Sequence, residues 1–238
     1  MTKRKRNAAA DGGFWNKEYK GAKHLALSEN PSEDLVKFTR WLMREHDREY
    51  LNPATSVVDL GCGNGRNLIY LARTFGMKGV GLDTSSEAIS QAKIASAGLP
   101  IEYETQSIAN PLPFTDESQT IVLDMMTSHF LRSEERERLR SEIARVLKPG
   151  GWLFWKTFLR DEDEHAERLL RENPADEKGS YIHPKIGLPE HVFTEREIET
   201  ALSGSGQFII QKIYKSHGHL RRGLAFKRRS ISVYAQKI

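Results

Sequence analysis

Between Val57 and Ala72 the chain reads VVDLGCGNGRNLIYLA. Gly61, Gly63 and Gly65 occupy alternate positions directly after a short apolar run that contains Asp59. Glycine reaches backbone conformations closed to other residues, and it removes the Cβ that would keep a ligand off the backbone. A second apolar run, GVGLD at 79–83, ends in the carboxylate of Asp83. An acidic side chain about 20 residues downstream of such a turn is placed to grip ribose hydroxyls. A glycine turn followed by Asp83 therefore points to a nucleoside-containing cofactor lying against the backbone of 61–65.

Other side chains are spaced to do chemistry near that turn. Asp124 ends the buried run QTIVLDM, where it could line a reaction site or simply cap a strand end. His129 follows in MMTSHFL; with a pKa near neutrality it could orient a substrate or act as a base, or it could be a structural histidine. Lys156 stands among the apolar residues of WLFWKTF, which is unexpected in a doubly buried strand; it either points into a cleft or pairs with an acid. Tyr181, His183 and His191 fall in a charged, proline-containing stretch, and His191 is taken as a candidate catalytic residue. The histidine spacing matches no familiar metal-ligand pattern, so no metal site is expected.

The elements that must position these groups follow from periodicity. Helices are expected at 31–49, with Ser32 as a cap, at 65–75, from Ser86 to Ala97 and at 133–147. Strands are expected at 55–60, 79–83, 100–105, 119–125 and 152–158, with a hard turn at KPGG, 148–151. Alternating strands and helices predict a doubly wound, mostly parallel sheet with helices on both faces. Thr194 to Glu197 reads as a capping box opening another helix. The runs QFIIQKIY and SISVYAQ then predict a C-terminal antiparallel hairpin and bring the sheet to seven strands.

The dinucleotide fingerprint G-x-G-x-x-G/A is not met, because Arg66 stands where its last glycine or alanine belongs. A nicotinamide-dependent oxidoreductase is thereby a remote alternative. VVDLGCGNGRN, GLDTSS and the LKPGG turn together resemble the motifs of class I S-adenosylmethionine-dependent methyltransferases, over roughly residues 50–158. The resemblance implies an α/β Rossmann-like fold, S-adenosylmethionine as cofactor and S-adenosylhomocysteine as product. It places Asp59, Gly61, Cys62, Gly63, Gly65, Arg66 and Asn67 around the methionine part of the cofactor. Asp83 would take both ribose hydroxyls, with Thr84 on the adenine side. Ser107 stands where many relatives carry an acid for the adenine amino group, so Ser107 or the backbone of Ser107 and Ile108 would serve instead. Asp124 would line the methyl-transfer site. FWNKEYKGAKH resembles the entry segment of the tellurite, halide and thiopurine branch, where Trp15 and Tyr19 would contact the cofactor or, for Trp15, merely pack on the core.

Methyl transfer asks little of side chains beyond holding the nucleophile in line, within roughly 3–3.5 Å of the methyl carbon. The acceptor is therefore open: a small molecule leads, and RNA is the alternative, motivated by the basic stretch 215–230 and the KRKR tail. At 238 residues with net charge +4 the chain is long enough for one full core. We expect a tail and cofactor-site lid over 1–30 and a single methyltransferase domain over 31–238, with an irregular substrate cap at 160–193. No run approaches the ~20 apolar residues of a membrane span, and MTKRKRNAAADGG lacks the apolar stretch of a secretory signal. One cysteine, Cys62, permits no internal disulfide and makes a cytoplasmic setting the expectation.

Overall fold

The computed structural model describes residues 12–24, 27–204, 206–216, 219–221 and 224–238, with backbone alone over 219–227. In chain order the first elements are α1 (Gly13–Lys20), α2 (Glu33–His46), β1 (Ser56–Leu60), α3 (Arg66–Phe75), β2 (Lys78–Asp83), α4 (Ser86–Ala95), β3 (Ile101–Thr105) and β4 (Gln119–Met125). A single 3-10 turn at Ser128–Phe130 leads to α5 (Ser133–Val146), β5 (Leu147–Phe158), α6 (Glu164–Glu172), β6 (Ser180–Ile182), β7 (Pro189–His191) and α7 (Glu195–Ser203). The chain closes with β8 (Phe208–Lys215), β9 (His219–Arg221), β10 (Leu224–Lys227) and β11 (Ser230–Lys237).

Seven strands form one sheet in the order β3-β2-β1-β4-β5-β11-β8. β11 runs antiparallel to both neighbours, β5 and β8, and the pairings among β1 to β5 are parallel. Chain order reverses between β1 and β4, and a crevice opens at the carboxyl ends of strands on either side of such a switch. The pleat sends alternate side chains to opposite faces. Val58, Leu60, Val122, Leu153 and Trp155 pack under α5 and α7, on Leu139, Ile143 and Ile198. Val57, Ile121, Leu123, Trp152 and Phe154 face the other way, onto Leu35, Phe38 and Leu42 of α2 and Leu68 and Leu71 of α3.

The expected elements are present with ends shifted by up to three residues, except that β5 begins at Leu147, five residues before the expected 152. The Thr194 and Glu197 capping box forms: the Glu197 N–H donates to Thr194 Oγ1 at 3.2 Å and the Thr194 N–H to Glu197 Oε2 at 2.6 Å. Ser32 flanks α2 but makes no side-chain capping bond. KPGG is both turn and strand. Gln119 pairs Leu147 and Ile121 pairs Trp152, so β5 carries a wide bulge here, turned at Gly150 with φ 75°.

The segment 160–193 departs most from expectation. It is not irregular: α6 is capped by Asp163, whose carboxylate accepts from His165 N–H at 2.9 Å and Ala166 N–H at 3.2 Å. β6 and β7 then form a short antiparallel ladder. These elements are brief, and their apolar face is only Ala166, Leu169, Tyr181 and Val192, too little to register as periodicity. The KRKR tail lies outside the described residues, as do the side chains of 217–227 within the basic stretch. The backbone there adds a small antiparallel ladder of β9 and β10 between the two long strands of the expected hairpin.

Phe38 is fully buried at the centre of the α2 face, with ring centroids 4.7 Å from Tyr234 and 5.0 Å from Phe154. Phe38→Ala should lower unfolding free energy by about 3–5 kcal/mol. Urea denaturation followed by circular dichroism checks this; a loss under 1 kcal/mol would mean that α2 is not a core element.

Candidate active site

β1 delivers the chain to the glycine turn, and the turn is laced to the end of β2. The N–H groups of Gly61 and Cys62 both donate to Leu82 O, at 2.7 and 3.0 Å, and the Gly63 N–H donates to Asp83 Oδ2 at 2.9 Å. Gly61 and Gly63 have φ of 74° and 55°, in the left-handed region. A Cβ on Gly61 would meet Thr127 Cγ2 at 2.3 Å, and one on Gly63 would meet the Tyr19 hydroxyl at 2.2 Å. The loop after β4 and the lid helix α1 therefore close onto bare backbone.

A cleft of about 470 Å³ opens over this turn. Its floor is Gly61 to Gly63, Arg66, Asn67, Asp83 and Thr84; Ser107 and Ile108, after β3, form one side. Trp15 and Tyr19 of α1 cover it. The Trp15 ring stands edge-on to Phe130 at 5.0 Å. α1 is held down by Asn16, whose Oδ1 accepts from Ser85 Oγ at 2.9 Å and from Glu87 N–H at 3.1 Å at the start of α4. Gln91 adds a bond to Tyr19 O at 2.7 Å.

Asp83 is suited to the task expected of it. Its two oxygens already accept from Gly63 N–H and, at 2.8 Å, from Ser85 N–H. A carboxylate offers about four lone-pair sites, so capacity is left on the side that faces the cleft. Burial pushes this carboxyl up, and the three backbone bonds to it pull the other way. Asp59 and Gly65 do not face the cleft. Asp59 lies beneath the turn, 1 % exposed, with Oδ2 lacking a partner. A Cβ on Gly65 would press on the Tyr103 hydroxyl. Cys62 lines the floor, but burial and Asp83 push its thiol well up, so it packs rather than reacts. Ser107 lines the adenine-side wall as a hydroxyl that also accepts from Ala109 N–H at 3.3 Å.

The candidate catalytic residues divide. His129 faces the cleft, 2 % exposed, with Nδ1 lacking a partner. Burial and the Arg228 charge hold its imidazole far below the ordinary range, so it is neutral at physiological pH. Lys156 does both things anticipated for it: it faces the cleft and pairs with Asp34 of α2 at 2.5 Å. Asp124 does not line the cleft. It shares the pleat direction of Val122, toward α5, where its Oδ1 accepts from Ser128 N–H at 3.1 Å beside Arg136 and Arg140. His191 is also misplaced by the sequence reading. On β7 it turns away from the cleft to bond Ser180 Oγ at 2.9 Å and pack on Phe193, and burial with Arg136 pushes it down to about 3. Its neighbour Glu190 takes the cleft position instead, with Phe158 and Arg228. None of these three was foreseen, because only the topology brings β5, β7 and the chain after β10 together. Among the described residues no cluster of three His, Cys, Asp or Glu is placed to hold a metal ion.

Residues 57–151 match the model of the methyltransferase domain family. The chain is 30% identical over 182 residues to a carboxy-S-adenosyl-L-methionine synthase of Trichodesmium erythraeum, covering 71% of this chain and 72% of that one. An uncharacterized methyltransferase of Synechocystis is 34% identical over 117 residues, which are 44% of this chain; the match spans only about half of that relative, 53% of its length. The crystal structure of an S-adenosylmethionine-dependent methyltransferase from Methanosarcina mazei superposes with a TM-score of 0.66 at 28% identity, covering 80% of this chain and 96% of that one. With a seven-stranded sheet that reverses at β1 and β4, and a buried Asp83 bonded to the glycine turn, the chain belongs to the class I S-adenosylmethionine-dependent methyltransferases.

Burial and the Asp83 charge push Asp59 from 3.8 to about 7. Between those values the folded chain holds a proton that the unfolded chain has released, so stability falls as pH rises and the loss is complete above about 7. In the ligand-free protein Asp59→Asn should remove this slope, worth at most about 4 kcal/mol, and raise Tm at pH 8. Thermal unfolding from pH 4.5 to 8 reads it; a Tm profile parallel to wild type would show Asp59 to be ionised throughout.

Proposed function

We propose that this protein transfers a methyl group from S-adenosylmethionine to a small-molecule acceptor and releases S-adenosylhomocysteine. The observation that carries the cofactor is Asp83: a buried carboxylate at the end of β2, fixed by two backbone N–H groups, facing the cleft. Tyr19 and Trp15 support a lid role for α1, and with it the likeness to the tellurite, halide and thiopurine branch. The bound cofactor would supply a sulfonium methyl already activated for displacement. This leaves the chain with placement and water exclusion as its main work. An aromatic face such as Trp15 suits a nearby cation. His129, neutral and with Nδ1 unpartnered, is able to accept a hydrogen bond from an acceptor hydroxyl, amine or thiol.

A small acceptor is favoured by the shape of the far end. The cleft falls in the size range of small-molecule sites. Phe130 and Phe158 with Met126, Leu131 and Ile186 give that end an apolar lining. RNA as acceptor rests on the basic 215–230 stretch and the KRKR tail; a gel shift with bulk tRNA at physiological salt tests it, and a salt-resistant shift would overturn the small-molecule reading. The single, buried, free cysteine supports a cytoplasmic setting, and among the described residues no helix is long and apolar enough to cross a membrane.

Calorimetric titration should give micromolar binding of both S-adenosylmethionine and S-adenosylhomocysteine. Asp83→Ala should weaken each by roughly 30-fold, about 2 kcal/mol, since it removes charge-assisted bonds to the ribose. Failure of the wild type to bind either ligand would sink the proposal.

A further inference from the structure

On that reading of the site, we propose that Arg228 receives an oxyanion of the methyl acceptor, a carboxylate or a phosphate carried on an apolar body. Arg228 is the one residue of the basic 215–230 stretch that faces the cleft among those whose side chains are described. Its guanidinium carbon stands 3.4 Å from the centroid of the Phe158 ring, so one face of the fork is stacked on an aromatic platform. Glu190 Oε2 accepts from Nη1 and also from the Tyr181 hydroxyl, which fixes the fork in its plane. A planar fork held on an aromatic face is pre-organised for two-point contact with an oxyanion.

The partners of the ion pair are not equally presented. The Arg228 side chain keeps 15% of its surface, the Glu190 side chain only 3%. Lys156 lines the cleft, whereas its partner Asp34 lies outside it. Lys185 adds a third cation to this end. Arg228, Lys156 and Lys185 thus line the cleft against one nearly covered carboxylate, Glu190, and the wall offered to a ligand at this end is positive. Phe130, Phe158, Met126 and Leu131 beside it set the body of the acceptor as apolar. His129, whose ring is 5.1 Å from Phe158, would then sit alongside the anchored molecule.

The experiment titrates phenylacetate, phenyl phosphate and the uncharged phenylacetamide into the full chain saturated with S-adenosylhomocysteine, by calorimetry and by ligand-observed NMR. Either anion should bind at least tenfold tighter than phenylacetamide, and the tighter of the two anions identifies the headgroup. Arg228→Lys keeps the charge but loses the fork and should cost about tenfold for that anion. Arg228→Met would strand the buried Glu190 charge, so it is paired with Glu190→Gln; the double variant should lose at least 30-fold for the anion while S-adenosylhomocysteine affinity stays within threefold. Equal binding of anions and amide by the wild type, including no binding of any, overturns the proposal, as does a folded double variant with wild-type anion affinity. Should the double variant not fold, the charge preference of the wild type and the Arg228→Lys loss decide alone. Absence of S-adenosylhomocysteine binding would instead refute the methyltransferase reading, and the same titrations on the ligand-free chain would still score Arg228.

Discussion

The bonds between the glycine turn and the end of β2 are the constraint on which the site depends. Gly61, Cys62 and Gly63 spend their N–H groups on Leu82 O and Asp83 Oδ2. This draws the ends of β1 and β2 together and turns the carboxylate of Asp83 toward open space. The same turn must stay bare, because Thr127 and Tyr19 approach to distances that no Cβ tolerates. One short stretch thereby sets the direction of the Asp83 carboxylate, the seat of the loop after β4 and the position of α1.

Helix α1 is tied to the end of β2 and the start of α4 by secondary-structure chemistry. Asn16 acts at the start of α4, where unsatisfied N–H groups need an acceptor, and Glu87 N–H finds it there. Asn16 thus adds to the cap that α4 already has from Ser85, whose Oγ accepts from Ala88 N–H at 3.1 Å. The link also runs through Ser85, whose N–H is bonded to Asp83. The Asp83 carboxylate is thus two hydrogen bonds from helix α1.

Much of this was legible before any coordinates. Buried parallel strands read as continuous apolar runs, and the glycines and Asp83 are spaced by the geometry of a strand–turn–helix–strand unit. What was not legible is side-chain direction and the meeting of distant segments. Asp124 and Lys156 both sit late in central strands, yet the pleat sends the first to α5 and the second to the cleft. His191 and Glu190 are adjacent, and a shift of one residue exchanges their roles. Arg228 looked like one cation among many in FKRRS. Its distinction comes from β11 pairing with β5, Ser230 opposite Phe158, which sets the residues just before β11 over that ring. The cap was misread because its helix and two three-residue strands are stabilised by capping and tertiary contact rather than by a periodic apolar face.

The charges of the cleft are arranged against stability. Asp59 is buried without a partner on Oδ2 and feels Asp83 as a like charge, and His129 carries an unpartnered ring nitrogen in an aromatic wall. A core optimised only for folding would replace these groups by apolar ones of similar shape, because unsatisfied buried polar atoms each cost about 1–3 kcal/mol. The ion pairs elsewhere in the site do not share this fault: Lys156 has Asp34, and Arg228 has Glu190. Buried polar atoms without a partner also occur in the core, at Gln119, Trp155 and Thr157, but Asp59 and His129 are the two that adjoin the glycine turn and the aromatic wall of the cleft. Departures from local consistency are expected where a structure is shaped for a ligand rather than for itself, and these two stand where a cofactor and an acceptor would meet the protein.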